Sequence, residues 1–237
     1  MCSQAHRTEA HGVPKKFMAW EIWQKSLQNL KSFSQEVHLC PHWLGEPTLH
    51  PEFERFLEYA FQENTGNTLF RKFKLHTNGV LFAPKRGSLL LDLAQSKNQA
   101  PDTFNFVHFS VDAFSPEAYK KVKGADHQSR VFRNIQEFLA EREQRGVEYP
   151  KITIAFVIQD FNASEAITFR DFWYKEWGKY GLSLEIFTDW PSKECDNLYF
   201  RRLNCGEQEK SDRLFAETIE KLGLGSLGGE IRNVQSF

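Results

Sequence analysis

Apolar positions along this chain change period repeatedly, and the alternation predicts an α/β fold. Residues 17–33 carry apolar side chains at helical spacing, and the run that follows them at 36–41 is short and strand-like. The same change recurs further along. More strands are predicted at 70–76, 104–111, 151–158 and 182–187, with helices at 50–61, 89–93, 129–144 and 162–180.

Short connections between these elements are typical of a parallel sheet wound in one direction. We therefore expect a partial (β/α) TIM-like barrel, with five parallel strands out of an expected six and with outer helices. Ser115-Pro116 has the cap and proline chemistry of a helix start, and Asn162-x-x-Glu165 resembles a capping box.

The alternation breaks after Trp190. Residues 191–208 are expected to form a loop or a short strand, and residues 209–222 a helix that ends at Gly223. These patterns predict a core over 1–190 and a connector helix with a tail over 191–237.

Composition excludes several functional classes. The 237 residues include 30 Lys and Arg against 31 Asp and Glu, a net charge of −1, so no global charge favours nucleic acid or a membrane surface. No stretch approaches the roughly 20 apolar residues of a membrane span, and the start of the chain is polar, without an apolar signal core. We expect a cytoplasmic protein without nucleic-acid or membrane partners.

The four cysteines form no C-x-x-C pair, which argues against a zinc ribbon and a small disulfide scaffold. His38, Cys40 and His42 alternate on one predicted strand and could mimic a metal set, but a catalytic zinc site would also need a helix with an H-E-x-x-H motif. The basic run at 71–74 could be a nucleic-acid patch, but it is better explained as a crossing from a helix end into a strand.

Ligands of parallel α/β folds bind at the carboxyl ends of the strands, so the residues there are candidates for a site. Gly45 lets the backbone approach a ligand closely, and Glu46 offers a carboxylate to a cation such as an α-amino group. Ser110 and Asp112, two apart on one strand, are expected to point the same way. Each carboxylate is as often a helix cap or a turn former.

Four segments resemble radical S-adenosylmethionine (SAM) enzymes, in the order found in that family. The run 39–53 with Gly45-Glu46-Pro47 is similar to the family's Gly-Glu-Pro region, and His76-Thr77-Asn78-Gly79 is similar to its third-strand motif. Residues 109–113, followed by 115–119 and Lys123-Gly124, resemble its fourth strand and the next helix. Residues 156–159 with Asn162 and Glu165 resemble the fifth, so the likeness covers the chain from Cys2 to about Trp190.

The resemblance implies a 4Fe-4S cluster held by a C-x3-C-x2-C loop, since thiolates are soft, anionic iron ligands. Cys2 falls where the last cysteine of that loop is expected, and the first two are absent. The chain is therefore expected to be truncated within this motif. The segment 196–206 resembles the connector to the C-terminal domain of SPASM-type members, which is absent as well, and Cys195 and Cys205 are either stray auxiliary ligands or structural residues.

In the family, a reduced cluster gives one electron to SAM, and the resulting 5′-deoxyadenosyl radical abstracts hydrogen from a peptide or small-molecule substrate. The resemblance implies an oxidoreductase or modifying enzyme with an electron donor such as flavodoxin or ferredoxin. It assigns no catalytic residue. The implied SAM-binding residues are Glu46 for the α-amino group with Gly45 and Pro47 in the same motif, Thr77 and Asn78 beside them, Ser110 and Asp112 for the carboxylate or ribose, Lys123 for the carboxylate and Ile158 for adenine, with Cys2 on the cluster. Two alternatives remain, in which Lys123 is an ordinary surface lysine and Ile158 a core residue.

Two alternatives stay open at this point. A non-catalytic barrel without a cluster could bind a nucleoside or a peptide, or act as a scaffold. A hydrolase or transferase has little support, because the chain has neither a G-x-S-x-G elbow nor a Walker loop. The sequence identifies no particular substrate.

Overall fold

The computed structural model describes residues 17–33, 35–42, 45–191 and 193–225, so Cys2 lies outside the described residues. The helices are α1 (Trp20–Leu30), α2 (Phe53–Glu63), α3 (Pro84–Ala94), α4 (Pro116–Lys123), α5 (Gln128–Gln144), α6 (Ala166–Gly178) and α7 (Gln208–Lys221). The strands are β1 (His38–Leu39), β2 (Lys72–Thr77), β3 (Phe104–Ser110), β4 (Lys151–Ile158), β5 (Glu185–Phe187) and β6 (Asn197–Arg202).

The six strands form one all-parallel sheet in the order β1-β2-β3-β4-β6-β5, flanked by helices. The predicted α/β class and parallel sheet are confirmed. The expected number of five strands is wrong, because 197–202 forms a full strand that lies between β4 and β5. Leu198 and Phe200 of this strand are fully buried, whereas its neighbours Arg201 and Arg202 are not. The prediction for 191–208 left a loop or a short strand open, and the strand is the one found.

By its contacts the chain divides into two compact units. The first comprises the described residues up to Ser110 together with Ser129–Ile152, and the second comprises Val111–Gln128 and the described residues from Thr153 onward.

The first unit packs one face of its strands against helices. Along β2, Phe73 and Leu75 are fully buried, whereas Lys74 and His76, which alternate with them, are only half-buried. The ring of Phe73 lies 5.1 Å from that of Phe61 on α2. Each such side chain contributes roughly 1.5–3 kcal/mol by leaving water. The opposite face of β2 is consequently polar and less buried.

The basic run before β2 is neutralised within the first unit. Arg71 Nη1 donates to Asp102 Oδ1 at 2.8 Å, and Lys72 forms an ion pair with the same carboxylate. The hydrogen bond from Arg71, joined by that from Lys72, lowers the pKa of Asp102 to about 2. The run thus crosses into β2 as expected and is not an unpaired basic patch.

The second unit has a core of aromatic rings. In the register of β4 and β6, Phe156 lies opposite Phe200, and the ring of Phe156 lies 4.8 Å from that of Phe169 on α6. Trp173 and Trp177, further along α6, are fully buried. This unit therefore folds around the apolar face of α6.

The helix ends agree with the sequence in one case and differ in another. Ser115 caps α4 as predicted, since its Oγ accepts from Ala118 N at 3.2 Å. The predicted capping box is wrong. Asn162 makes no capping hydrogen bond, and the Glu165 carboxylate instead accepts from Phe114 N at 2.9 Å. Both side chains hold the loop before α4 rather than the start of α6.

Among the described residues, no helix combines the length and the apolar character needed to cross a membrane.

Candidate functional site

The first predicted motif forms a compact turn after β1. Gly45 has a φ of 103°, a backbone region that glycine adopts at little cost, and Pro47 begins a short 3₁₀ turn at 47–49. Glu46 caps that turn, because its Oε1 accepts from Thr48 N at 3.2 Å and from Thr48 Oγ1 at 2.5 Å. One of the two roles left open for Glu46, that of a cap, is thus realised.

The end of β2 meets the same carboxylate. Thr77 Oγ1 donates to Glu46 Oε1 at 2.7 Å, and Asn78 N donates to Glu46 Oε2 at 2.6 Å. Asn78 Oδ1 in turn accepts from Val80 N at 2.9 Å, which fixes the turn that leaves the strand. Five residues predicted from two separate motifs therefore come together in the first unit: Gly45, Glu46, Pro47, Thr77 and Asn78.

The Glu46 carboxylate keeps capacity for a ligand. An ionised carboxylate has about four acceptor directions, two on each oxygen. Among the residues that the structure describes, Oε1 receives three hydrogen bonds, whereas Oε2 receives only that from Asn78 N. The side chain is also only partly buried. A cationic group can therefore approach Oε2 without displacing a protein donor.

A row of imidazoles lies beside Glu46 on the polar face of the strands. The ring of His42 lies 4.8 Å from that of His76, which stacks on His108 at 4.6 Å. Burial lowers the pKa of His42, and the charge of Glu46 opposes the shift only in part, so this ring is neutral near pH 7. Sequence reasoning missed His76 and His108 as members of this surface, although their place opposite each other follows from alternation along β2 and β3.

The alternating set of His38, Cys40 and His42 does not converge on one point. His38 lies between Glu36 and Lys74, at 2.8 Å and 2.9 Å, whereas Cys40 Sγ lies 3.5 Å from His42 Nδ1. Burial raises the pKa of the Cys40 thiol, which keeps it protonated. Within the described ranges, no group of three or more potential metal ligands occurs. Cys40, Cys195 and Cys205 are free cysteines and belong to no such group.

Asp112 lies in the second unit in a different setting. β3 ends at Ser110 and Asp112 has a φ of 63°, so the alternation expected to align their side chains does not reach Asp112. Its Oδ1 accepts from Val157 N at 2.8 Å, and its backbone oxygen accepts from Asn162 Nδ2 at 2.6 Å. Ser110 is the half-buried last residue of its strand.

Lys123 forms an ion pair with the Oδ2 of Asp112. The Lys123 side chain is 21 % exposed and that of Asp112 only 6 %, so this is not an ordinary surface lysine. Both oxygens of Asp112 are consequently occupied by protein groups. The expected contact of Asp112 and Lys123 with a SAM carboxylate stays a prediction, and it would require this ion pair to open.

Ile158, at the end of β4, lines a cavity of about 370 Å³ in the second unit. Leu203, Leu214, Cys205 and Lys210 also line it. An apolar wall beside polar groups is typical of a small-molecule site. The contact of Ile158 with adenine stays a prediction. The cavity is large enough to hold an adenine ring.

Neither protein-family models nor curated protein sequences give a match to this chain.

Proposed function

We propose that this chain is the SAM-binding core of a radical SAM enzyme and that its sheet curves as part of a (β/α) barrel. The observation that carries the proposal is the Glu46 carboxylate, held by Thr77 and Asn78 at the carboxyl ends of two neighbouring parallel strands. The proposal also rests on the four motifs in the family's order. Its substrate is a peptide or a small molecule, and an external donor such as flavodoxin or ferredoxin supplies the electron.

The residues around Glu46 fit the α-ammonium group of SAM. The acceptor direction left on Oε2 suits one ammonium hydrogen, and charge-assisted hydrogen bonds of this kind are about twice as strong as neutral ones. The exposed backbone of Gly45 carries no side chain that would block the approach. Thr77 and Asn78 then act as positioning residues, since each donates to Glu46 and fixes its orientation.

Asp112 has a positioning role in this proposal. Its carboxylate holds the start of the loop against β4 through Val157 N and against α4 through Lys123. The Asp112 side chain is only 6 % exposed, so a ligand would have to displace the protein groups around it before it could reach either oxygen. We therefore assign the ligand contact to Glu46 alone of the two.

The described residues do not fit a 4Fe-4S cluster, because their three cysteines form no common site. The proposal leaves ligation to Cys2, outside those residues, and to thiolates that this sequence does not contain. When bound, such a cluster supplies the electron that cleaves the carbon–sulfur bond of SAM.

A second candidate is a barrel that binds a nucleoside or a peptide without chemistry, and it is favoured by the lack of any cysteine cluster among the described residues. One experiment separates the two. The full chain is extended at its N-terminus by a segment that places cysteines three and seven residues before Cys2, reconstituted anaerobically with iron and sulfide, reduced with dithionite and incubated with SAM. The product 5′-deoxyadenosine is measured by mass spectrometry, with Cys2→Ala in the same extended chain as the control. The proposal predicts 5′-deoxyadenosine from the extended chain and a large loss in the variant. A colourless protein that folds without iron and yields none would support the second candidate.

A further inference from the structure

A groove of about 660 Å³ lies in the first unit between the start of α3 and the first turns of α5. Its walls include the apolar residues Val80 and Leu81 and the cations Lys85, Arg86, Arg130 and Arg133. Arg130 and Arg133 are three residues apart on α5, which places them on one face of the helix. The groove therefore combines a short apolar strip with converging positive charge.

The groove is held in shape by interactions in its floor. Asn134 of α5 is buried and donates through Nδ2 to Gly79 O at 2.8 Å. Gly79 has a φ of 77°, and a Cβ there would lie 3.1 Å from a methyl carbon of Val131, so only glycine lets the loop approach α5 this closely. The loop that carries Val80 and Leu81 is thus fixed against α5.

Positive side chains outnumber negative ones in the groove. Arg86 is already occupied, since its Nε donates to Glu54 at 2.6 Å and its Nη1 to Thr48 O at 2.8 Å. Lys85, Arg130 and Arg133 are exposed, and none of them forms an ion pair with a carboxylate in the part of the chain described by the structure. Lys85 also interacts electrostatically with Glu54, and Glu137 is the only other acid among the lining residues. Four cations therefore face two carboxylates in the groove, although the chain as a whole carries a net charge of −1.

We propose that this groove binds an acidic segment of a protein partner. Carboxylates of the segment would pair with Lys85, Arg130 and Arg133, and an apolar side chain would pack on Val80 and Leu81. Complementary charge steers such an encounter and fixes its register. A nucleic acid fits less well, because none of the described lining residues is an aromatic on which a base could stack.

The groove adjoins the Glu46 site but does not depend on any cofactor. Val80 on its wall donates its N–H to Asn78, whose own N–H binds Glu46. Arg86 at its base donates to the backbone of the turn that Glu46 caps. A bound acidic segment would therefore lie next to the proposed SAM-binding carboxylate, and the groove can be tested with the cofactor-free chain.

The test uses fluorescence anisotropy with a fluorescein-labelled peptide of Glu-Leu-Asp repeats and a second peptide of Gln-Leu-Asn repeats. The full chain is expected to bind the acidic peptide saturably and to bind the neutral one at least about tenfold more weakly. The variant K85E/R130E/R133E should lose about tenfold or more in affinity for the acidic peptide. Raising the salt concentration should weaken wild-type binding, since these charges are solvent-exposed.

The matched control is K25E/K175E/K221E, which changes the net charge equally at exposed helix positions outside the groove. It should bind within about twofold of the wild type. The milder variant R130Q/R133Q covers the case in which charge reversal impairs folding, and it should still weaken binding. Equal losses in the groove and control variants, or no saturable binding, would overturn the proposal. Displacement of the peptide by oligothymidylate that itself binds more tightly would also overturn it, in favour of nucleic acid.

Discussion

Glu46 and Asp112 occupy equivalent places in two different units, yet their surroundings differ. Each carboxylate follows a strand of the parallel sheet and each accepts a backbone N–H from a neighbouring strand or its end. Glu46 is partly exposed and has one acceptor direction to spare, whereas Asp112 is buried and paired with Lys123. A position after a strand thus marks a carboxylate that the protein uses, while its burial decides whether it can still bind a ligand.

Asp112 also holds its backbone in a region that costs a non-glycine residue on the order of 1 kcal/mol or more. The structure offsets this cost with the Val157 N–H, the Lys123 ammonium and the Asn162 amide on its backbone oxygen. This pattern is that of a residue on which the local fold depends. Three stability measurements can sharpen or break the contrast between the two carboxylates.

The largest effect is expected for Asp112→Ala. Removing the carboxylate leaves the Val157 N–H and the half-buried Lys123 ammonium without their acceptor, and alanine is poorly suited to the left-handed backbone. We expect a loss of about 3 kcal/mol in the free energy of unfolding, measured by urea denaturation. Asp112→Asn should lose less, since asparagine tolerates this conformation and keeps an acceptor for Val157. Equal stability of wild type and Asp112→Ala would contradict the structural role.

A smaller effect is expected for Glu46→Gln. If the amide oxygen faces the Thr48 and Thr77 hydroxyls, the NH₂ group lies opposite Asn78 N. If the amide is turned the other way, the NH₂ group lies opposite the threonines. Because the site is partly exposed, water can replace the lost acceptor, and the loss should be about 1 kcal/mol in the same urea experiment. A loss as large as that of Asp112→Ala would mean that Glu46, too, serves mainly the fold.

The smallest loss of stability is expected for Asp102→Asn, because the partners of Asp102, Arg71 and Lys72, are partly solvent-exposed. This variant is a reference for the other two substitutions. The folded-state pKa of Asp102, about 2, lies below the unfolded value of about 3.9, so its contribution is complete above the unfolded pKa and disappears as the pH falls toward 2. Solvent screening limits that contribution to about 0.5 kcal/mol. Asp102→Asn should therefore lose this amount near pH 7 and converge on the wild type below about pH 2 in urea titrations. A constant difference across this range would contradict the assignment.

The sequence predicted the sheet well where apolar residues form continuous runs. β3 and β4 are found within a residue or so of their predicted bounds, since their side chains are buried on both faces over most of their length. β6 was ambiguous because its buried residues Asn197, Leu198 and Phe200 are followed by two arginines and include a polar side chain, so its apolar run is short. The order of β4, β6 and β5 in the sheet depends on contacts far apart in the chain, which no local pattern encodes.

The candidate site was predictable in its members but not in their roles. Residue type and position brought Glu46, Thr77 and Asn78 to attention, and the structure joins them by hydrogen bonds. Asn162 and Glu165 matched a capping box in spacing, yet their side chains hold the loop around Asp112 and Ser115. Spacing alone cannot distinguish a helix cap from a loop contact, because the loop that these side chains bind lies about fifty residues earlier in the sequence.

Binding of SAM to the wild-type chain, Glu46→Gln and Asp112→Asn, measured by equilibrium dialysis with labelled SAM, tests the central claim most directly. We predict that Glu46→Gln weakens binding by about tenfold or more, whereas Asp112→Asn, if folded, stays within about twofold of the wild type. Unchanged binding in Glu46→Gln, with a loss confined to Asp112→Asn, would contradict the assignment of the ligand contact to Glu46.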